Sequence, residues 1–483
     1  MRLYSLIKNL NCRVFGNISV EITGLYHNDV EVKDGGMFFC LRGTKVDGVE
    51  YVKSAVKNGA IAIVVEQEIP QMFGVTQIIV NNSREAMSIV ACNFFGNPAN
   101  KLKLIGVTGT NGKTTITTVL ADVLKGLKKK VALVGTNGVF IDGIKYETNL
   151  TTPDPIQLQK YFSIMVKRKV EYVCIEVSAH ALDLCKIAGV RFELGIFTNL
   201  TEDHLDYFKT MEKYYLAKQK FFNPKYIKYA IINADNDYGK RLCEGIKVPK
   251  STYSILSESN CMATEITLKK GKQSFAVGNK NITINLLGEF NIYNILAVYL
   301  ACKKLGLDEN LVIGELEKVN VVDGRFNIIE ISGRCFVVDY AHTPDGLENI
   351  LKTCKKLAGD GKLISVFGCG GNREVQKRAK MGEISTKIAN FSIFTSDNPR
   401  FEKREAIIRD IEKGAIDCNY MIVEDRAEAI KKAYDVSNVG DVIVVAGKGA
   451  EPYIDEMGVR SPYSDKSQIL KLGGFNEWFM FSD

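Results

Sequence analysis

The stretch LIGVTGTNGKTTITTVL at residues 104–120 carries more potential chemistry than any other in the 483-residue chain. An apolar run suited to a buried strand breaks into a Gly/Thr/Asn turn and resumes in residues that can continue as a helix. Gly109 and Gly112 let the backbone curl so that successive N–H groups, through Thr110 and Asn111, point inward. The helix N-terminus that follows adds positive potential for an anion. This is a phosphate cradle. Lys113 would reach the β- and γ-phosphates of a nucleotide, and the Thr114 hydroxyl, beside Thr115, would serve Mg²⁺. The strict phosphate-loop spacing asks for glycine where the chain has Val107, so the general pattern is met only in part.

Other reactive side chains fall just past apolar runs. Glu176 and Ser178 close YVCIEVS (172–178), while Asn199, Asp203 and His204 end or follow LGIFTNL (194–200). Acidic or imidazole groups there, next to a phosphate loop, suit Mg²⁺-ATP, because Mg²⁺ takes few protein ligands and keeps water and phosphate oxygens for the rest. Towards the C-terminus, LISVFGCGGNR (363–373), SIFTSDNPR (392–400) and DVIVVAGKGAE (441–451) each end in a Gly- or Asn-rich loop carrying charge. Arg373, Arg400 and Glu451 at their tips suggest a pocket for a small zwitterion, with arginines forking onto carboxylates and a carboxylate receiving an ammonium.

These residues need rigid elements behind them. Strand-like and helix-like segments alternate from about 100 to 322, including VALVG (131–135) and YAIINAD (229–235). Such alternation argues a mainly parallel sheet with crossover helices, whose ligands gather at the carboxyl ends of the strands. Residues 1–98 read as a small α/β unit, with strands at 61–66 and 76–80, a short helix at 51–59 and a linker at 98–101. The segment VDGRF (322–326) marks a second boundary. The chain length also suggests about three domains. The fold class is therefore α/β in three domains, 1–98, 99–322 and 323–483.

Hydrophobic residues at 46% and charged residues at 25% fit a soluble globular protein. A net charge of +7, not gathered into a basic tail, does not imply nucleic acid but is compatible with small anionic substrates. The N-terminus lacks an apolar leader, and we find no uncharged run long enough to span a membrane. The 12 cysteines form no CxxC pairs and read as reduced, so a cytoplasmic protein without membrane association is expected; a monomer is expected as well.

The spelling TGTNGKTT resembles the ATP loop of the Mur ligase family, the ATP-dependent amide-bond ligases of cell-wall precursor synthesis. Further signatures follow in family order: EVSAH (176–180), TNLTEDHLD (198–206), YLAKQKFF (215–222), LLGEFNIYNILA (286–297), VDGRF (322–326) and DYAHTP (339–344). The resemblance implies a uridine-binding first domain around Phe38, Phe39, Gly43, Asp47 and Gly48, a P-loop ATPase, and a mobile, Rossmann-like amino-acid domain. It implies that Asn291 and Asn294 approach the adenine, that Arg325 and Asp339 face the nucleotide, and that His342 lies near the closed site. Metal ligands would be Thr114, Glu176, His204 and Lys218, the last as a carbamate formed with CO₂. Thr151, Thr152, Ser178 and Lys186 would contact the muramyl peptide. DNPR (397–400) resembles the signature of members that add meso-diaminopimelate, so Arg373, Asp397, Asn398, Pro399, Arg400, Gly447 and Glu451 would hold that amino acid. The other substrate implied is UDP-MurNAc-L-Ala-D-Glu.

The chain also departs from the family pattern. Asn28, Asp29 and Val30 stand where relatives usually carry Asp-Ser-Arg, leaving Asp29 as the expected uracil contact. Leu184 and Lys186 replace Gln and Arg, and Ala450 replaces the His of GKGHE. A lysine-adding or other Mur-type ligase, a P-loop nucleotide switch, and a silent sugar-nucleotide binder remain as alternatives at this point.

Overall fold

The computed structural model describes residues 1–43, 46–148, 150–269, 271–320 and 322–474. Asn149, at the head of the Thr151–Thr152 loop, lies outside them. Among the described residues three main sheets follow one another along the chain.

The first sheet has five strands in the order Cys12–Phe15, Thr76–Val80, Ala60–Val65, Gly36–Phe39, Gly24–Tyr26, and only the first pair is antiparallel. The helix expected near residue 51 is Val52–Lys57, entered through a 3-10 turn at Gly48–Tyr51. The stretch read as a linker is also structured, as a 3-10 turn at Pro98–Lys101 with Pro98 and Ala99 buried.

The second sheet has eleven strands, and its middle is parallel: Ile227–Asn233, Phe192–Phe197, Lys103–Thr108, Tyr172–Glu176, Val131–Gly135. These strands are apolar and mostly buried along their lengths, as expected where helices cover both faces. One face packs on Lys113–Gly126 and on Glu289–Lys304, a helix too apolar all round for the surface. The strand order reverses beside Lys103–Thr108, so the phosphate loop leaves the sheet at a topological switch point.

The outer strands were not expected from the sequence. Gly138–Ile141 and Ile144–Tyr146 add an antiparallel edge on one side. Lys250–Ser254, Cys261–Lys269, Lys272–Val277 and Lys280–Ile284 extend the other. The outermost two each open on a lysine, Lys272 or Lys280, and mix buried positions with half-buried polar ones such as Ser274 and Thr283, a pattern without the apolar run that marks the interior strands.

The third sheet has six strands in the order Asn327–Ile331, Arg334–Asp339, Val442–Ala446, Leu363–Phe367, Phe391–Phe394, Tyr420–Ile422, antiparallel only at the first pair. Beneath its loops Arg426 and Asp465, both fully buried, form a two-pronged pair at 2.8 Å on each prong. Arg426 also donates to Ala446 O at 2.9 Å and to Ser396 O at 3.3 Å, which ties two pocket loops to one guanidinium. Removing one member of such a pair leaves the other charge buried and alone. Arg426→Met is therefore expected to destabilise this domain by about 3 kcal/mol, read as a lower denaturant midpoint for its unfolding. An unchanged midpoint would refute this.

Candidate active site

The loop after Lys103–Thr108 is held in shape by glycine. Gly112 has φ of 88°, and a Cβ there would lie 2.6 Å from Asn294 Oδ1; at Gly109 a Cβ would collide with Thr198 Oγ1. Asn111 N donates to Asn199 Oδ1 at 2.9 Å, and Thr198 Oγ1 donates to Asn111 O at 2.6 Å, so the neighbouring strand end fixes the loop. Lys113 opens the helix, and its ammonium donates to Gly109 O at 2.9 Å and Thr110 O at 2.7 Å. Burial lowers its pKa, opposed by the carboxylates of Glu176 and Asp203.

Glu176 ends the adjacent strand and is almost fully buried. Oε1 accepts from Thr114 Oγ1 at 3.0 Å and Thr136 N at 2.9 Å, while Oε2 accepts from Thr136 Oγ1 at 3.1 Å. Thr136 was not among the residues expected from the sequence. It follows the strand Val131–Gly135, and that position beside Glu176 was its only local signal. Arg325 Nη2 also donates to Thr114 Oγ1, at 3.0 Å, and its guanidinium stacks 4.2 Å from the centre of the Tyr340 ring. Thr152 Oγ1 donates to Glu176 O at 2.8 Å and receives Ser178 N at 3.2 Å; Thr151 and Thr136 hydroxyls meet at 3.2 Å. Lys186 reaches Thr152 O at 3.0 Å. The residues expected on the muramyl peptide thus form one ledge beside Glu176.

Across the loop, His204 sits in the left-handed region at φ 57°, pinned by its own N–H on Asp203 Oδ1 at 2.9 Å. Its Nε2 lies 3.3 Å from Asp203 Oδ2. Burial pushes the imidazole pKa down to about 3, against the pull of Asp203, so the ring is neutral near pH 7. Burial works to raise the Asp203 acid, but His204, His342, Lys377 and Lys113 together hold it below the usual carboxylate range. Lys218 is buried, donates to Gly109 O at 2.8 Å and lies 4.6 Å from the centre of the Tyr214 ring. Burial and the nearby Lys113 hold its pKa well below the ordinary lysine value.

The third sheet closes over this centre. Asn111 Nδ2 donates to Asp345 Oδ2 at 2.8 Å, Leu205 N donates to Glu374 Oε2 at 3.2 Å, and Lys377 lies 3.7 Å from Asp203. None of these three partners stood out in the sequence, since each matters only through a contact between separate domains. Asp339 accepts Phe326 N at 2.8 Å and Ala341 N at 2.7 Å, so it shapes the junction. Asn294 Nδ2 donates to Asn291 Oδ1 at 3.0 Å, and Asn291 Nδ2 to Leu287 O at 2.7 Å.

Arg400 also adopts a left-handed φ, 51°, held by Arg400 N on Asp455 O at 2.9 Å and Met457 N on Arg400 O at 2.7 Å. Its Nη1 donates to Gly371 O at 2.7 Å. Asp397 Oδ1 accepts Asn398 N at 2.6 Å, and a Cβ on Gly447 would lie 2.7 Å from Asp397 Oδ2. Pro399 is buried, with its carbonyl close against Gly371. From the sequence Glu451 reads as a free carboxylate; in the structure its Oε2 already accepts Lys448 Nζ and Asn398 Nδ2, each at 2.7 Å.

One cleft of about 790 Å³ is lined by Lys113, Thr114, Glu176, His204, Lys218, Arg325, Arg373, Arg400 and Glu451, whereas Gly109, Thr152, Lys186, Asn291 and Pro399 stand outside its lining. Thr115, Thr151, Ser178, Asn294, Asp339, Asp397, Asn398 and Gly447 line it too. A second, smaller pocket of about 300 Å³ lies in the first sheet's domain between His27, Asn28, Asp29, Phe38 and Tyr51. Gly43 packs its backbone near Val46 O at that pocket's rim rather than lining it. Asn28 accepts Val30 N at 3.3 Å, and the Val30 side chain is exposed. Among the described residues no three His, Cys, Asp or Glu side chains form a metal cage, and no helix is long and apolar enough to cross a membrane.

Family profiles match in three blocks: "Mur ligase family, catalytic domain" over residues 21–95, "Mur ligase middle domain" over 107–302 and "Mur ligase, glutamate ligase domain" over 324–449. A protein of Clostridium tetani described as UDP-N-acetylmuramoyl-L-alanyl-D-glutamate--2,6-diaminopimelate ligase is 43% identical over 482 residues, covering 98% of this chain and 99% of its own. One of Clostridium acetobutylicum, described as ligase 1 of that kind, is 41% identical over 478 residues, covering 97% and 98%. A solved structure of a ligase with the same description superimposes with a TM-score of 0.70 at 29% identity, over 98% of this chain and 99% of its own. MurF of Thermotoga maritima, solved with ADP, shares the fold at a TM-score of 0.63 and 19% identity, over 93% and 96%.

Proposed function

The chain belongs to the Mur ligase family, and on that premise we propose that it is the ATP-dependent ligase joining meso-diaminopimelate to UDP-MurNAc-L-Ala-D-Glu. One observation carries the reading: a phosphate loop, a hydroxyl-and-carboxylate cluster and a loop pocket bearing two arginines open on a single cleft. A nucleotide switch would need no amino-acid pocket, and a silent binder would not retain Lys113, Thr114, His204 and Lys218 together.

The donor set fits Mg²⁺. Glu176 and the Thr114 hydroxyl are hard oxygen donors, His204 is neutral, and Lys218 is buried with no carboxylate within ion-pair distance among the described residues. Thr114 and Glu176 would hold one ion, His204 and the CO₂-derived carbamate of Lys218 a second, and these ions when bound supply charge neutralisation for phosphoryl transfer. Lys113 and the loop N–H groups bind the ATP phosphates, Asn291 and Asn294 the adenine end, and Arg325 with Asp339 the junction. The first domain, through Asp29 and its small pocket, takes the uridine end, and Thr151, Thr152, Ser178 and Lys186 orient the peptide.

The D-Glu carboxylate then attacks the γ-phosphate, giving an acyl phosphate and ADP. The amine, held by the third domain, attacks the acyl carbon and displaces phosphate. Positioning and charge neutralisation dominate, because loose phosphoryl transfer leaves little for a protein base to do. The contacts of Asp345, Glu374 and Lys377 keep the amine domain seated over the loop during both steps.

Phosphate release with Mg-ATP and UDP-MurNAc-L-Ala-D-Glu is expected to be at least about tenfold greater with meso-diaminopimelate than with L-lysine, since a site built for a carboxylate loses its pairing when that group is missing. The tripeptide product is identified by mass. Equal turnover of lysine would refute the choice of amino acid, and no amide with either amine would refute the ligase reading.

A further inference from the structure

The 447–451 turn folds one of its own side chains beneath the amino-acid pocket. Lys448 is fully shielded from solvent. Its ammonium donates to Glu451 Oε2 at 2.7 Å and to Asn398 Oδ1 at 3.0 Å. Asp455 N donates to the same Asn398 oxygen at 2.9 Å, so two donors fix the orientation of that amide, and its Nδ2 turns to Glu451. Lys448 therefore holds both Glu451 and Asn398 from behind while they line the cleft.

This pairing sets the charge that a ligand meets. Glu451 is cancelled by Lys448, and the surrounding charges close on one another: Arg426 on Asp465, Arg404 on Glu456, and Arg378 with Lys413 on Glu402 and Asp410. What remains facing the cleft from this domain's loops is Arg373, Arg400 and Lys377 against the carboxylates of Glu374 and Asp397, the latter 4.0 Å from the Arg426 guanidinium. A pocket with one net positive charge suits an amino acid that brings two carboxylates. At its far end diaminopimelate carries an ammonium and a carboxylate that cancel. Lysine carries a lone ammonium there, and it finds no uncompensated carboxylate at Glu451.

We propose that Lys448 is a specificity-determining residue, which by neutralising Glu451 from beneath matches the pocket to a dicarboxylic diamine and against a diamine with one carboxylate. The inference rests on the ligase reading above. Without the Lys448 cation, Glu451 becomes a free counter-ion, and the preference moves towards lysine.

The test compares kcat/KM for meso-diaminopimelate and L-lysine in the full-length wild type, Lys448→Met, Lys448→Arg and the double variant Lys448→Met/Glu451→Gln. In Lys448→Met the diaminopimelate-to-lysine ratio is expected to fall about tenfold, the order for one unit charge acting over roughly 10 Å at an effective dielectric constant of about 20. Lys448→Arg and the double variant, which keep the charge balance, are expected to hold the wild-type ratio. An unchanged ratio in Lys448→Met, whatever its overall rate, or a double variant that behaves like it, would overturn the proposal. Should Lys448→Met fail to fold, the double variant and Lys448→Arg decide: a preserved ratio in both supports the charge account and a collapsed ratio in either overturns it. Wild type inactive with both amines would sink the ligase reading itself, and this inference with it.

Discussion

Replacing Lys218 with methionine is expected to lower amine-dependent phosphate release by about a thousandfold or more, the scale on which charge-stabilising groups act in phosphoryl transfer, without lowering thermal stability. The reason lies in what surrounds this lysine. It is buried, bonded to a loop carbonyl and near Lys113, with no carboxylate within ion-pair distance among the described residues. A buried ammonium in such a place is disfavoured, so the side chain carries a neutral amine far more readily than a surface lysine does. A neutral amine adds to CO₂, forming a C–N bond and releasing one proton, and the product is an anion that the neighbouring Lys113 stabilises. Methionine fills similar space against Tyr214 and leaves no buried charge, so the fold should tolerate it. Arginine cannot form the carbamate and should be as inactive. Native mass spectra of wild type are expected to carry one added CO₂ that is lost on acidification, and activity in degassed buffer should rise with bicarbonate. Lys218→Met retaining more than a tenth of wild-type turnover would refute the assignment.

The parts of this molecule that could be read in the sequence are those in which one short stretch both forms an element and carries the chemistry. The run 104–120 contains its strand, its turn glycines and its helix, so local pattern was enough to place Lys113 and Thr114. The places of Glu176, at the end of one strand, and of His204, in the loop beyond the end of another, could be read for the same reason, because buried parallel strands are short apolar runs. What could not be read depends on pairs distant in sequence. Thr136 meets Glu176 across 40 residues, Asn111 meets Asp345 across 234 residues, and Arg426 meets Asp465 across 39 residues. Nothing near any of these positions announces its partner. Glu451 shows the limit most clearly. Its presence at a loop tip was legible, but its neutralisation by Lys448, only three residues away, depends on the turn that brings the ammonium beneath it. The outer strands at 272–284 were missed because polar residues such as Lys272, Ser274, Lys280 and Thr283 interrupt them, which hides them from a search for apolar runs.

Lys113→Met is expected to reduce turnover by about a thousandfold while raising the ATP concentration needed for half-saturation only about tenfold, the size of one charge-assisted hydrogen bond removed from ground-state binding. The separation follows from where the ammonium sits. Without nucleotide it donates to Gly109 O and Thr110 O, and burial makes its charge costly there. Phosphate oxygens offer it far better acceptors, and its value is greatest when charge spreads over the transferring group. The loop does not need Lys113 for its shape. Gly109 O keeps its bond from Lys218, and Asn111 stays fixed by Asn199 and Thr198, so the variant should still bind ADP through backbone N–H groups. Lys113→Arg should not rescue it, because a planar fork cannot take the place of a compact ammonium between two carbonyls. Fluorescent-nucleotide titration and phosphate release on the same samples separate the two effects. A variant with turnover within tenfold of wild type would show that this lysine only ties the loop together; equal losses in binding and turnover would show that it holds ATP without acting on the transfer.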